Sequence, residues 1–93
     1  MSRVIKFAPQ LRELRIHLCQ NGETSKGVRD FISNHYISLK QNNPSCPILV
    51  RECMGVQPRL WARYDGGREN SVVLANLKAE DVLRQVELLT VKG

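Results

Sequence analysis

Two hydrophobic periodicities along the chain separate predicted strands from predicted helices. Residues 11 to 18 place apolar side chains at every second position, which is the pattern of a half-buried strand. Residues 25 to 41 place them at the i, i+3, i+4, i+7 spacing of one helical face, and residues 78 to 91 repeat that spacing. The pattern therefore predicts a first strand and two helices.

Three shorter segments complete the predicted sheet. Ile48 to Cys53, which Pro47 opens, has the length and branched side chains of a buried or edge strand. Arg59 to Asp65 alternates again, and the Asp65-Gly66-Gly67 turn joins it to a fourth strand near residues 71 to 74. We expect the first two strands to be parallel, connected by the first helix in a βαβ unit, and the last two to form an antiparallel hairpin.

The predicted fold is α/β: a four-stranded mixed sheet in the order β-α-β-β-β-α, with both helices packed on one face. A chain of 93 residues with 42% apolar and 25% charged residues has the length and composition of one globular domain. We assign residues 11–93 to that domain and residues 1–10 to an N-terminal segment.

Charge and cysteine content limit the classes of function. The chain has 14 Lys and Arg against 9 Asp and Glu, a net charge of +5, which favours an acidic partner. No apolar stretch approaches the roughly 20 residues of a membrane span, and the N-terminus lacks the apolar core of a secretory signal. Three cysteines are too few for a secreted disulfide scaffold and favour an intracellular or organellar protein.

The sheet face opposite the helices is predicted to carry a basic patch around one tryptophan. On the odd-numbered side of the strands lie Arg15, Arg51, Trp61 and Arg63. Because arginine and tryptophan are enriched at interface hot spots, we interpret these residues as a partner-docking surface. The alternative is a solvated sheet face on which the arginine stems cover their own strands.

Cys19 and Cys53 form a second candidate site. Both lie at the carboxyl ends of the predicted parallel strands with the same odd parity, so their Cα atoms are expected within the ~4.4–6.8 Å that a disulfide requires. A redox-sensitive pair and two separate thiols both fit this placement. Cys46 lies in a loop and is predicted to be incidental.

Catalytic and metal-binding signatures are missing from the sequence. It contains no Cys-x-x-Cys, no paired zinc-ligand spacing and no glycine-rich phosphate loop. His17 and His35 have no partners at a spacing that would make a catalytic relay. We therefore predict no enzymatic activity, no metal and no cofactor.

Four blocks of sequence resemble one family over about residues 11 to 91. The blocks are Arg15-Ile-His-Leu-Cys-Gln20, Gly27-Val-Arg-Asp-Phe-Ile32, Pro47-Ile-Leu-Val-Arg-Glu-Cys53 and Val56-Gln-Pro-Arg-Leu-Trp-Ala-Arg-Tyr64. They resemble the small thioredoxin-like accessory subunits of mitochondrial respiratory complex I. Val73, where the family pattern has Pro, and Lys78, where it has a Ser cap, depart from the resemblance.

The resemblance implies a thioredoxin-like fold and a non-catalytic subunit of the complex I matrix arm, supporting assembly or stability of the electron-input module. It implies the large iron-sulfur subunit of that module as the partner, and a peripheral location on the matrix side of the mitochondrial inner membrane. It also maps a disulfide or thiol switch onto Cys19 and Cys53, and a cis-proline onto Pro58.

Two alternative functions remain open at this stage. Small mitochondrial ribosomal proteins share this domain, and a charge of +5 suits a ribosomal RNA backbone. A thiol-disulfide redox protein would instead use Cys19 or Cys53 as a thiolate with a low pKa.

Overall fold

Strand β1, Leu11–Leu18, lies inside the sheet because strands pair with both of its edges. The computed structural model describes residues 4–91. The remaining strands and helices, in chain order, are α1 (Lys26–Asn42), β2 (Ile48–Glu52), β3 (Arg59–Tyr64), β4 (Glu69–Val73) and α2 (Ala79–Val91). The order across the sheet is β2-β1-β3-β4, so β2 and β4 are its edges.

The pairing of the strands is mixed. β1 runs parallel to β2, with Leu14 opposite Ile48, and antiparallel to β3, with Arg15 opposite Trp61. β3 and β4 are antiparallel neighbours. The predicted four-stranded mixed sheet with two helices is confirmed.

One side of the sheet and both helices form the core. The side chains of Leu14, Ile16 and Leu18 point towards the helices and are almost completely buried. The helices contribute further buried side chains at helical spacing, namely Val28, Phe31 and Leu39 from α1 and Val82, Leu83 and Val86 from α2. Because these positions repeat with the strand and helix periods, one apolar stripe per element is enough to close the core.

The turn before β4 is tighter than the sequence predicted. Asp65–Gly67 forms one 3-10 turn, in which Gly66 and Gly67 have φ angles of 76° and 79°. Glycine adopts this left-handed conformation without a steric penalty. The chain therefore reverses within three residues, and β4 begins at Glu69 instead of near residue 71.

The N-terminal segment packs onto the domain from residue 5 onward. Ile5 is 2% exposed, and its carbonyl oxygen accepts a hydrogen bond of 2.9 Å from the side chain of Asn43. The Ala8 amide donates to the Thr90 carbonyl oxygen at 2.8 Å. Residues 1–3 of the predicted N-terminal segment lie outside the described residues.

Within the described range, neither helix combines the length and the apolar composition of a bilayer span.

Candidate docking face

The side of the sheet away from the helices carries odd-numbered side chains, and we call it the open face. The register places Arg15 beside Trp61 and Arg51 beside His17, and Arg63 follows on β3. The structure thus brings the residues predicted for docking onto one face. Their role in docking stays a prediction.

Trp61 lies at the centre of the open face between two guanidinium groups. The guanidinium carbons of Arg15 and Arg59 are 5.6 Å and 5.7 Å from its ring centroid, which is cation–π distance. The His17 ring is 6.4 Å away. Among residues 4–91, the Trp61 Nε1–H is the one buried side-chain polar group without a hydrogen-bond partner. An unsatisfied buried donor of this kind costs about 1–3 kcal/mol.

One end of the open face is neutralised by ion pairs. Arg15 lies 3.0 Å from a carboxylate oxygen of Glu13 and 3.0 Å from one of Glu69. Arg63 lies 3.6 Å from the second oxygen of Glu13. These pairs hold two of the predicted docking arginines in place and reduce the positive charge that they present to a partner.

The other end of the open face is basic and has no acidic partner. Arg59 donates to the Ser71 hydroxyl at 2.9 Å, and neither Arg59 nor Arg51 lies in a salt bridge within the described part of the chain. Burial, together with the charges of Arg15 and Arg51, lowers the pKa of His17. The two ends of the face therefore differ in charge, and the unpaired end lies at the carboxyl end of β1, where His17 is opposite both Arg51 and Arg59.

Arg59 also belongs to the open face, although the sequence analysis did not predict it as a docking residue. Arg59 has the same odd parity as Trp61 and Arg63 in β3. It was missed because its contact with Trp61 depends on side-chain directions that strand parity alone does not give.

The main chain brings Cys19 and Cys53 next to each other, as their strand parity predicted. Leu18 is opposite Glu52 in the parallel ladder, and the Cys53 amide donates to the Leu18 carbonyl oxygen at 3.0 Å. Both thiols are free in this structure. The structure therefore has two separate thiols, one of the two arrangements that the sequence left open, and a redox role for the pair stays a prediction.

The two sulfurs occupy different environments because Cys19 lies just beyond the end of β1. The Cys19 amide donates to Ser25 Oγ at 3.0 Å, and its Sγ accepts the Gly55 amide at 3.3 Å. Cys19 is consequently 5% exposed, whereas Cys53 is on the surface. The strand pattern predicted that the two main chains are adjacent, but it did not predict that the chain after β1 buries the Cys19 side chain.

The surroundings of Cys19 favour its thiolate. Hydrogen bonds from the backbone amides of Asn21 and Gly55 lower the pKa of the Cys19 thiol and outweigh the opposing effect of burial. Arg29 adds a favourable charge while its Nη1 donates to the carbonyl oxygens of Cys19 and Gly22 at 3.0 Å and 2.8 Å. The pKa of the Cys19 thiol is therefore lowered even though the side chain is hidden from solvent.

The cis-proline expected at position 58 is not found. The described residues contain no cis peptide bond, so the bond that precedes Pro58 is trans. The Pro58 carbonyl oxygen accepts the Leu74 amide at 2.9 Å, which extends the β3–β4 pairing by one step. The trans isomer, which X–Pro bonds prefer by about 0.5–1 kcal/mol, satisfies this pairing.

No metal centre is evident in the described part of the chain, residues 4–91. In this range, no three His, Cys, Asp or Glu side chains are grouped so that they could together hold a metal ion. The polar groups that the structure gathers are the arginines of the open face and the thiols of Cys19 and Cys53. The first can bind an acidic surface, and the second can undergo thiol chemistry.

Comparison with known proteins gives matches over most of the chain. A family model for the mitochondrial ribosomal protein L51 / S25 / CI-B8 domain matches residues 28–79. The chain is 51% identical over 86 residues to NADH dehydrogenase (ubiquinone) 1 alpha subcomplex subunit 2 of Mus musculus, covering 92% of this chain and 87% of that protein. The protein of the same name from Arabidopsis thaliana is 47% identical, with 94% and 90% covered. The NADH-ubiquinone oxidoreductase 10.5 kDa subunit of Neurospora crassa is 36% identical, with 96% and 95% covered.

Proposed function

Because the chain belongs to the family of NADH dehydrogenase (ubiquinone) 1 alpha subcomplex subunit 2, we propose that it is a non-catalytic accessory subunit of mitochondrial respiratory complex I. The observation that carries this proposal is 51% identity over nearly the full length of both proteins. The thioredoxin-like architecture and a peripheral position on the matrix side of the inner membrane are parts of the same proposal. In this role the chain supports assembly or stability of the electron-input module.

The open face is the proposed contact with the large iron-sulfur subunit of that module. Trp61 supplies a large half-buried ring with an unpaired N–H group, and the surrounding arginines supply charge. Aromatic and arginine side chains of this kind dominate binding energy at interfaces. The face is not needed to close the core, since the buried side chains of the strands point the other way.

The experiment that tests this role is replacement of the endogenous subunit in cells by the tagged chain. We expect the tag to migrate with complex I on native gels, and mass spectrometry of the purified material to recover matrix-arm subunits. The double variant Trp61→Ala/Arg63→Glu should be lost from the complex while the purified chain keeps its far-UV circular dichroism. Normal incorporation of that variant would exclude the open face, and a wild-type chain that never comigrates with complex I would exclude the accessory role.

Cys19 and Cys53 are the proposed redox-sensitive pair within this subunit. In the presence of glutathione disulfide, the exposed Cys53, as its thiolate, attacks one sulfur atom of that disulfide. This step forms a mixed disulfide between Cys53 and glutathione and releases the other glutathione as its thiolate. The Cys19 thiolate then displaces the second glutathione and forms the intramolecular disulfide. The two protons of the cysteine thiols pass to the two glutathione thiolates, so the cysteines are oxidised as glutathione disulfide is reduced to two glutathione molecules. The adjacent main chains and the lowered pKa of Cys19 support this sequence of steps.

A glutathione redox titration with peptide mapping tests the pair. We expect a Cys19–Cys53 peptide under oxidising conditions and its loss in the Cys53→Ser variant. Cys46→Ser is the matched control, because Cys46 lies before β2 and should leave the cross-link intact. If both cysteines become separately glutathionylated and never form a cross-linked peptide, they do not act as a pair.

The second candidate function is a mitochondrial ribosomal protein that binds ribosomal RNA. The description of the matching family model and the unpaired basic end of the open face favour it. Purification of the tagged chain, with analysis of the RNA that copurifies, discriminates the two functions. A ribosomal protein would recover ribosomal RNA, and the amount of bound RNA would fall steeply as the salt concentration rises. Recovery of complex I subunits without RNA would exclude this alternative.

A further inference from the structure

We propose that this chain binds its partner by accepting an acidic, extended segment as an additional strand along the outer edge of β2. The inference rests on the proposed function for the identity of the complex and adds the way in which the contact is made. Strand addition uses main-chain hydrogen bonds for affinity and side-chain positions for specificity. Three independent features of β2 point to this mode.

The first feature is a free row of backbone donors and acceptors. The Pro47 carbonyl oxygen accepts the Leu14 amide at 3.0 Å, and the Cys53 amide donates to Leu18 at 3.0 Å. Because the inward groups of a parallel strand alternate, the amides and carbonyls of Val50 and Glu52 point away from β1. β2 is an edge of the sheet, so the described residues place no strand opposite these groups.

The second feature is an exposed edge that is apolar over its first three residues and lacks both proline and a bulge, although Arg51 and Glu52 at its end are charged. Leu49 and Val50 are each 36% exposed, and Met54, just beyond the strand, is 90% exposed. The strand contains no proline or lysine, and its register with β1 continues without a bulge from Ile48 to Glu52. An edge of this composition is a template for another strand.

The third feature is charge, which selects an acidic occupant. On the open-face side of the edge, Arg51 is the outermost basic group, with His17 next to it across the ladder. Arg59 extends this basic region across the face, and neither arginine has a carboxylate partner within residues 4–91. An acidic side chain on an added strand would therefore neutralise Arg51 without displacing an existing ion pair.

The opposite edge of the sheet differs from β2 in its charge on the open face, although Val73 there is 38% exposed, slightly more than Leu49 and Val50. β4 begins with Glu69 and Asn70, and the Glu69 carboxylate already pairs with Arg15. An acidic segment added there would meet a negative charge. The two edges thus offer a matched pair of positions for one experiment.

Proline substitution distinguishes the two edges in the full chain. Val50→Pro removes an outward N–H of β2, and Val73→Pro removes an outward N–H of β4, since the inward bond at that end comes from Leu74. Proline is tolerated at edge positions whose N–H faces solvent. We expect Val50→Pro to lower the fraction of chain incorporated into complex I by at least about tenfold, and Val73→Pro to match wild type. Equal incorporation of all three proteins would overturn the inference.

A second variant keeps the test decisive if Val50→Pro does not fold. Arg51→Glu changes an exposed side chain on the same edge and should reduce incorporation by about tenfold, whereas Arg84→Glu on α2 should have no effect. Hydrogen exchange of the assembled complex gives a direct readout: Val50 and Glu52 amides should become protected on assembly while Ser71 and Val73 amides stay unchanged. Unprotected β2 amides in the complex would also overturn the proposal.

The outcomes separate failure of this inference from failure of the proposed function. If wild-type chain enters complex I but the β2 amides gain no protection, the accessory role stands and the strand addition does not. If wild-type chain does not enter complex I, the proposed function itself fails. Sedimentation of the purified chain tests whether a second copy of this chain occupies the β2 edge instead. A dimer that Val50→Pro abolishes would identify that second copy and contradict the acidic partner.

Discussion

The two faces of the sheet use their aromatic side chains in opposite ways. Phe31 lies against the helix-covered face and is completely buried among aliphatic side chains. Trp61 lies on the open face beneath two guanidinium groups, with its N–H unpaired. Burial of apolar area drives folding, whereas an unpaired buried donor costs free energy. The comparison teaches that the side chains that close the core and those proposed for recognition lie on different sides of one sheet.

The largest expected effect comes from emptying the covered face. Phe31→Ala should lower the free energy of unfolding of the isolated chain by about 3–5 kcal/mol, because it leaves a cavity between α1 and the sheet. Urea denaturation followed by circular dichroism measures this loss. If Trp61→Ala cost as much in the same assay, the division of labour between the two faces would be wrong.

A smaller loss is expected where the start of α1 closely approaches the loop before α2. A Cβ atom at Gly27 would lie 1.6 Å from the Leu77 carbonyl oxygen, so Gly27→Ala should destabilise the chain by about 1–3 kcal/mol. Relief of the glycine entropy cost in a helix would act in the opposite direction by about 0.5–1 kcal/mol. Ser33→Ala on the exposed side of α1 is the control, and thermal unfolding of both variants gives the sign. A stabilised Gly27→Ala chain would contradict the close approach.

Truncation on the open face should affect the isolated chain less. Trp61 is only partly buried, so Trp61→Ala should cost about 1–2 kcal/mol of unfolding free energy. Part of the loss is offset, because the variant also removes an unsatisfied N–H group. Urea denaturation beside Phe31→Ala measures the difference. If Trp61→Ala lowered the free energy of unfolding by as much as Phe31→Ala or by more, the open face would belong to the folding core.

The smallest expected effect is a pH dependence from His17. Burial, Arg15 and Arg51 lower its pKa in the folded chain, so the unfolded chain binds more protons at mildly acidic pH. Stability contributed by neutral His17 is therefore complete above the unfolded pKa of about 6.5 and is lost as the pH falls from that value through the lower pKa of the folded chain. Unfolding measured between pH 5 and 8 should show a shallower slope for His17→Gln, and also for Arg51→Gln. Identical slopes in all three proteins would exclude the proposed cause.

Local patterns were sufficient for most of the secondary structure. The alternation of Leu14, Ile16 and Leu18 predicted β1 with its observed bounds, because strand side chains repeat every two residues. The first helix was predicted at residues 25 to 41 and is found at Lys26–Asn42. The start of β4 was missed by two residues, since two consecutive left-handed glycines close the turn more tightly than the sequence pattern indicated.

The candidate site was predictable only in part. Parity placed Arg15, Trp61 and Arg63 on one face, and the parallel pairing placed Cys19 beside Cys53. Neither pattern predicted that Arg15 would pair with Glu69 from an edge strand. Ion pairs between distant residues depend on strand order and register, which short-range periodicity does not encode.

The sequence by itself determined which side of each strand and helix is apolar, because the periods of 2 and 3.6 residues are properties of the backbone. Only the tertiary structure decided that Cys19 is buried beneath Gly55 and that the two ends of the open face differ in charge. It also decided that β2 is a free edge. These features depend on contacts between residues that are far apart in the chain, and such contacts form only when the whole sheet is assembled.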